Sequence, residues 1–124
     1  MYKHTYNRSM KFTWDEKKHR ANIRNHGFDF VDARKVFEGI TFTLEDDRFD
    51  YAEERFITLG LLKDIVVVIA HTEKEDGIHI ISMRKATRHE QKIYSSCVIV
   101  QVIKIYEKGY FDPTQSYTRV TFYR

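Results

Sequence analysis

The chain has 124 residues, of which 42% are hydrophobic, so one domain with a real core is expected and wholesale disorder is excluded. Its formal net charge is a mild +3, and its single cysteine, Cys97, excludes an intramolecular disulfide. No stretch approaches the roughly 20 apolar residues of a membrane span, and the first residues carry no apolar leader, so a cytoplasmic address and no membrane partner are expected.

Lys11 to Trp14 alternates polar and apolar and predicts a short strand. Asp15 stands where a helix N-cap would, with Lys18 rather than an acid three places on, so a cap is expected without a capping box. The charged run Glu16 to Asn25 predicts a first helix, closed by His26 and Gly27, because glycine takes the left-handed conformation that ends helices. Phe30, Ala33 and Phe37 recur at helical spacing and predict a second helix, stopped by Gly39.

Strands are predicted over Ile40–Glu45 and Arg55–Leu61, joined by an acidic connection from Asp46 to Ala52. Lys63 and Asp64 make a tight turn into Ile65–Thr72, the most apolar run in the chain and the candidate central strand. Glu75 to Gly77 is a second turn signal, and Ile78–Met83 is the next strand. Three successive hairpin-linked strands predict an antiparallel meander. Thr87 and Glu90 form a capping box for a last helix running to about Tyr94. The segment from Cys97 to Tyr106 reads as a strand or as a continuation of that helix; its β-branched residues favour the strand. Gly109 to Gln115, with Pro113, is a turn, and Tyr117–Tyr123 alternates as a strand.

Charge is unevenly spread. Phe28 to Arg55 holds nine Asp/Glu against four Lys/Arg, whereas His79 to Lys92 holds four Lys/Arg and two His against Glu90 alone. The second stretch is either a surface for phosphate or an ordinary solvated helix face.

Several blocks, in this order and spacing, carry a family resemblance. They are Phe12-Thr13-Trp14-Asp15-Glu16-Lys17; Asn22-Ile23-Arg24-Asn25-His26-Gly27-Phe28-Asp29-Phe30 with Ala33, Val36 and Phe37; Glu54-Arg55 to Gly60; Val66 to Glu73; and Ile80-Ile81-Ser82-Met83-Arg84-Lys85-Ala86-Thr87-Arg88, then Glu90 and Tyr94. The chain resembles the BrnT toxins over about Met10 to Tyr94. The resemblance implies an α+β fold of helices packed on one antiparallel sheet, similar to the RelE-like ribonucleases. It implies a type II toxin that cuts RNA without a metal or other cofactor and so inhibits translation. It implies neutralisation by a BrnA-like antitoxin with a ribbon-helix-helix domain, and contact with operator DNA only through that complex. Two positions depart from the family pattern: His79 stands where many relatives have Arg, and Met83 where a small Ala is common. The division expected is a toxin domain over 10–95 and a β-rich C-terminal extension over 96–124. That extension would pack on the domain or pair two chains edge to edge as a homodimer. Its composition is also compatible with read-through past the family's usual end.

Metal-free RNA cleavage uses the 2′-OH as nucleophile, so it needs a base, an acid for the 5′-oxygen, and cations for the phosphorane charge. His71 and Glu73 at the end of the central strand are the candidates for proton transfer. Arg55, which opens the preceding strand, and Arg84, which closes the next, are the candidates for the scissile phosphate. Lys17, His26, Lys85 and Arg88 are the candidates for holding RNA. Without the resemblance, His71 reads as a satisfied strand-end histidine, Glu54 and Arg55 as a surface ion pair, and His26 as a helix C-terminal residue favoured by the dipole. Lys17 and Arg88 then read as solvated helix residues. Histidine and cysteine spacing suggests no metal site. The competing function is a non-catalytic module, derived from the toxin fold, that binds a protein or nucleic acid.

Overall fold

The computed structural model describes residues 9–46, 52–107 and 118–122. The elements in chain order are β1 (Lys11–Trp14), α1 (Glu16–His26), one 3-10 turn (Phe30–Asp32), α2 (Ala33–Phe37), β2 (Ile40–Glu45), β3 (Phe56–Leu62), β4 (Ile65–Lys74), β5 (Gly77–Lys85), α3 (Arg88–Glu107) and β6 (Thr118–Phe122). The expected acidic connection from Asp46 to Ala52 and the turn from Gly109 to Gln115 lie largely outside the described residues.

Local chemistry sets the helix ends. The Asp15 carboxylate accepts from the Lys18 N–H at 3.0 Å, so the cap forms without a capping box. Gly27 sits at φ 77° and donates its N–H to the Ile23 carbonyl, which closes α1. The second helix is shorter than its apolar spacing suggests. Asp29 accepts from the Val31 N–H at 2.9 Å and starts a 3-10 turn, leaving only Ala33–Phe37 as α-helix.

The sheet order is β1-β5-β4-β3-β2-β6. Strands β3, β4 and β5 are the expected antiparallel meander, and β2 extends it by pairing antiparallel with β3. The two outer strands make the sheet mixed, since β1 runs parallel to β5 and β6 parallel to β2. Alternation in sequence specifies which residues share a face but not the direction of a neighbouring strand.

Helices cover both faces. On one face, α1, the 3-10 turn and α2 bury Phe30, Ala33, Val36, Phe37, Val67, Ile69, Ile78, Ile80 and Met83 against the sheet. Gly60 allows the close fit there, because a Cβ at that position would lie 2.6 Å from Val36 Cγ1. On the other face, Tyr94 of α3 and Ala86, between β5 and α3, pack with Leu59 and Val68. The Tyr94 hydroxyl donates to the Ile40 carbonyl at 2.7 Å.

The pairing of β4 with β5 shifts by one residue between Ala70 and His71. Ala70 faces Ser82 but His71 faces Ile80, so Ile81 is the extra residue of a bulge. The bulge lets Ile80 and Met83, three residues apart, both enter the same core.

The last helix runs to Glu107, well past Tyr94. The helical alternative for Cys97–Tyr106 is therefore the one the chain adopts, despite its β-branched residues. The Thr87–Glu90 box nucleates α3 and Tyr94 anchors it, and each further turn then adds a hydrogen bond per residue at small cost. Among the described residues, no helix is long and apolar enough to cross a membrane.

Candidate functional site

His71 lies in the second half of β4 with no exposed surface. Its ring packs edge-on against Phe37 at 5.3 Å and stacks on Phe56 at 5.9 Å. Its Nε2 is 2.7 Å from the Thr58 hydroxyl, which is 2.7 Å from the Thr43 hydroxyl. Three polar groups from three strands thus form one hydrogen-bonded chain inside the core beneath α2. Glu73, two residues on, is half-buried and cross-strand from Ile78.

Arg84 is cross-strand from Val68 and so lies on the face covered by α3, opposite His71. The expected convergence of Arg84 with His71 is not what the fold makes. The hairpin register separates them by three residues of β4, and side-chain alternation sends them to different layers. Arg55 immediately precedes β3, and it is Phe56 that stands across from His71. The Arg55 carbonyl accepts from the Asp46 N–H at 2.8 Å, joining the end of β2 to the start of β3. The structure thus brings Arg55 and His71 to neighbouring backbone positions, with Glu73 beside them, and leaves Arg84 apart. Lys17 and His26 are exposed on α1, and Lys85 and Arg88 are exposed at the end of β5 and the start of α3.

Arg84 has a built environment. Its Nη1 donates to Glu90 Oε1 at 2.8 Å and its Nη2 to Glu90 Oε2 at 2.9 Å, the paired geometry that fixes a guanidinium plane. Glu90 also receives the Thr87 N–H at 2.8 Å, and its own N–H donates to the Thr87 hydroxyl at 3.2 Å. One carboxylate therefore closes the capping box and aims the arginine. The Arg84 guanidinium, foremost, holds the Glu90 carboxyl down at about 2. The Arg84 side chain is 38% exposed. Lys85, Arg88, His89 and Lys92 surround this junction in sequence and are exposed, so positive charge gathers where β5 meets α3.

Two residues hold the architecture in ways that the motifs do not reveal. Asn22, buried on α1, donates to the Met83 carbonyl at 2.8 Å and the Phe28 carbonyl at 3.0 Å, and accepts from the Met83 N–H at 3.1 Å. Since β1 pairs with β5 only as far as Ile80, the Asn22 amide serves the β5 edge beyond it. His19 lies with Nδ1 at 3.0 Å from Glu16 and Nε2 at 2.6 Å from Asp29, its ring stacked on Phe30. Only a long-range contact map reveals Asn22; for His19, its place one turn after Glu16 was the available signal. On β5, the His79 Nδ1 lies 2.9 Å from the Thr13 hydroxyl of β1. Among the described residues, no group of three or more His, Cys, Asp or Glu side chains is arranged to hold a metal ion.

Residues 14–90 match the family described as the ribonuclease toxin, BrnT, of type II toxin–antitoxin systems. The crystal structure of the Brucella abortus ribonuclease toxin, BrnT, is 28% identical in sequence, with 64% of this chain and 99% of that chain covered and a TM-score of 0.49. No curated protein matches the chain.

Proposed function

The chain belongs to the BrnT family of type II toxin–antitoxin ribonuclease toxins, and from that premise we propose that it is a metal-independent endoribonuclease that blocks translation and is neutralised by a BrnA-like antitoxin. The observation that carries the reading is Arg84, partly exposed and held in plane by Glu90 at a basic junction. A guanidinium fixed in this way meets a phosphate with little reorganisation, which is the property that stabilises a developing phosphorane.

In this reading the 2′-oxygen of the substrate attacks the adjacent phosphorus, and the bond from phosphorus to the 5′-oxygen breaks. The products are a 2′,3′-cyclic phosphate and a 5′-hydroxyl. Arg84 takes the charge that develops on the phosphoryl oxygens, while Lys85 and Arg88 hold the flanking backbone. Lys17 and His26 of α1 are outer contacts for a longer RNA. His71, sealed between Phe37 and Phe56, keeps β3 and β4 in register, and Arg55 and Glu73 support that end of the sheet. His89, the exposed imidazole beside Glu90 in the first turn of α3, is assigned to proton transfer: it takes the proton of the attacking 2′-OH and returns it to the departing 5′-oxygen. Contact with operator DNA is through the antitoxin complex, and the setting is the cytoplasm.

The test is RNA cleavage by the purified chain in EDTA, with the product ends identified. We expect cleavage by the wild type and a loss of about 100-fold or more for Arg84→Ala, the scale on which a single oriented donor acts. Equal cleavage by both proteins removes this assignment. The burial of His71 favours the second reading, a binding module without catalysis. RNA or antitoxin binding by the wild type with no cleavage would establish that reading instead.

A further inference from the structure

From residue 91 on, α3 lies beyond the stretch that matches the family, and it is unlike an ordinary surface helix. It exposes Ile93 at 37%, Ile99 at 58%, Val100 at 48%, Val102 at 40%, Ile103 at 49% and Tyr106 at 80%. A helix that exposes this many apolar side chains is one that becomes covered.

One side of it is already shaped as a receptor. Between α3 and Phe42 of β2 runs an open groove of about 510 Å³. Ile93, Cys97 and Val100 share its apolar lining with Phe42, and His89, Lys92 and Lys104 also line it. Among the described residues, no carboxylate lines it. Ile93, Cys97, Val100 and Lys104 follow one another at intervals of four, three and four residues, the ridge of a helix surface into which a second helix packs. Lys92 and Lys104 are about 18 Å apart along the helix, from a rise of 1.5 Å per residue.

We propose that this groove is the docking site for an amphipathic helix of the partner protein, with an apolar stripe that fills the floor. Acidic residues about three turns apart on that helix meet Lys92 and Lys104. Charge selects this occupant over a second copy of the chain, since two copies facing each other through the groove would oppose lysine to lysine. The proposal rests on the reading of the chain as a toxin in naming the antitoxin as the source of the helix. It also gives the antitoxin a physical route to control, because His89 and Lys92 of the groove flank Glu90, which holds Arg84. A helix seated there lies beside the phosphate-binding junction.

The experiment measures affinity between the full chain and its cognate antitoxin by titration calorimetry, with circular dichroism confirming that each variant is folded. Val100→Asp and Lys104→Glu are expected to weaken binding 10-fold or more. Ile99→Asp, on the opposite side of α3, is expected to stay within about 2-fold. Wild-type affinity is expected to fall as salt rises. Unchanged antitoxin affinity in folded Val100→Asp overturns the groove assignment while leaving the toxin reading intact. A concentration-dependent dimer of the free chain that Val100→Asp abolishes assigns the groove to a second copy instead. No antitoxin binding by the wild type removes the partner and the groove proposal together, whereas RNA cleavage in the same sample still tests the enzyme.

Discussion

His19 shows how much a single residue can hold. Both of its ring nitrogens face carboxylates, Glu16 and Asp29, which only accept hydrogen bonds. Satisfying both requires the doubly protonated imidazolium. The Asp29 hydrogen bond raises the His19 pKa above its ordinary value, against desolvation and with help from Glu16. The same contacts lower Asp29 and Glu16, the Val31 N–H being the largest cause for Asp29 and His19 the largest for Glu16. The histidine contribution is complete below its unfolded pKa of about 6.5 and is lost as pH rises through the raised folded value. The carboxylate contributions are present above their unfolded pKa values and are lost as pH falls through the lowered ones. The cluster therefore stabilises the fold most between about pH 4.5 and 6.5. Urea unfolding across pH is expected to show stability declining above that window in the wild type, and His19→Ala is expected to flatten this decline. A decline of equal slope in the variant would show that other groups cause it. At this scale, local signals were legible in sequence: Asp15, Gly27 and the Thr87–Glu90 box all act within a turn of themselves. Asn22 was not legible as an edge clamp, because its partner Met83 is 61 residues away.

Among the elements, the β3–β4 hairpin carries a visible cost. Lys63 sits at φ 58°, the left-handed region, in the two-residue turn between the paired Leu62 and Ile65. A Cβ in that region costs about 1–2 kcal/mol, part of which glycine recovers after its own extra loss of chain entropy. Lys63→Gly is expected to raise stability by up to about 1 kcal/mol, read as a higher denaturant midpoint with an unchanged slope. The turn itself was plain from its position between two apolar runs. The length of α3 was not plain. The β-branched run after Ser96 favours a strand in isolation, but a helix already nucleated and anchored through Tyr94 carries that run along. The parallel outer strands were equally hidden, since the strand pattern of Lys11–Trp14 is the same whichever way its neighbour runs.

At the scale of the whole molecule, the decisive fact is that helices lie on both sides of the sheet. Burial of His71 beneath α2 and placement of Arg84 on the opposite face, at the start of α3, divide the residues expected at one site between two layers. His71→Ala removes a ring between two phenylalanines and strips the Thr58 hydroxyl of its nitrogen partner. We expect a loss of about 2–4 kcal/mol of stability, the range for large-to-small core changes, with cleavage per folded molecule unchanged. A stable His71→Ala protein that fails to cleave RNA would return His71 to the chemistry.

The sequence by itself determined the family, the α+β class, the central meander and the basic character of the junction between β5 and α3. These follow from ordered motifs, from alternation and from charge composition, all of which are local along the chain. Only the tertiary structure decided which cations face solvent, which histidine is core, and that the run from Ser95 to Glu107 is helix. Those outcomes depend on strand register, on the bulge at Ile81 and on packing between residues far apart in the chain. A shift of one residue reverses a side chain's face, so the candidate residues were identifiable in sequence while their grouping into a site was not.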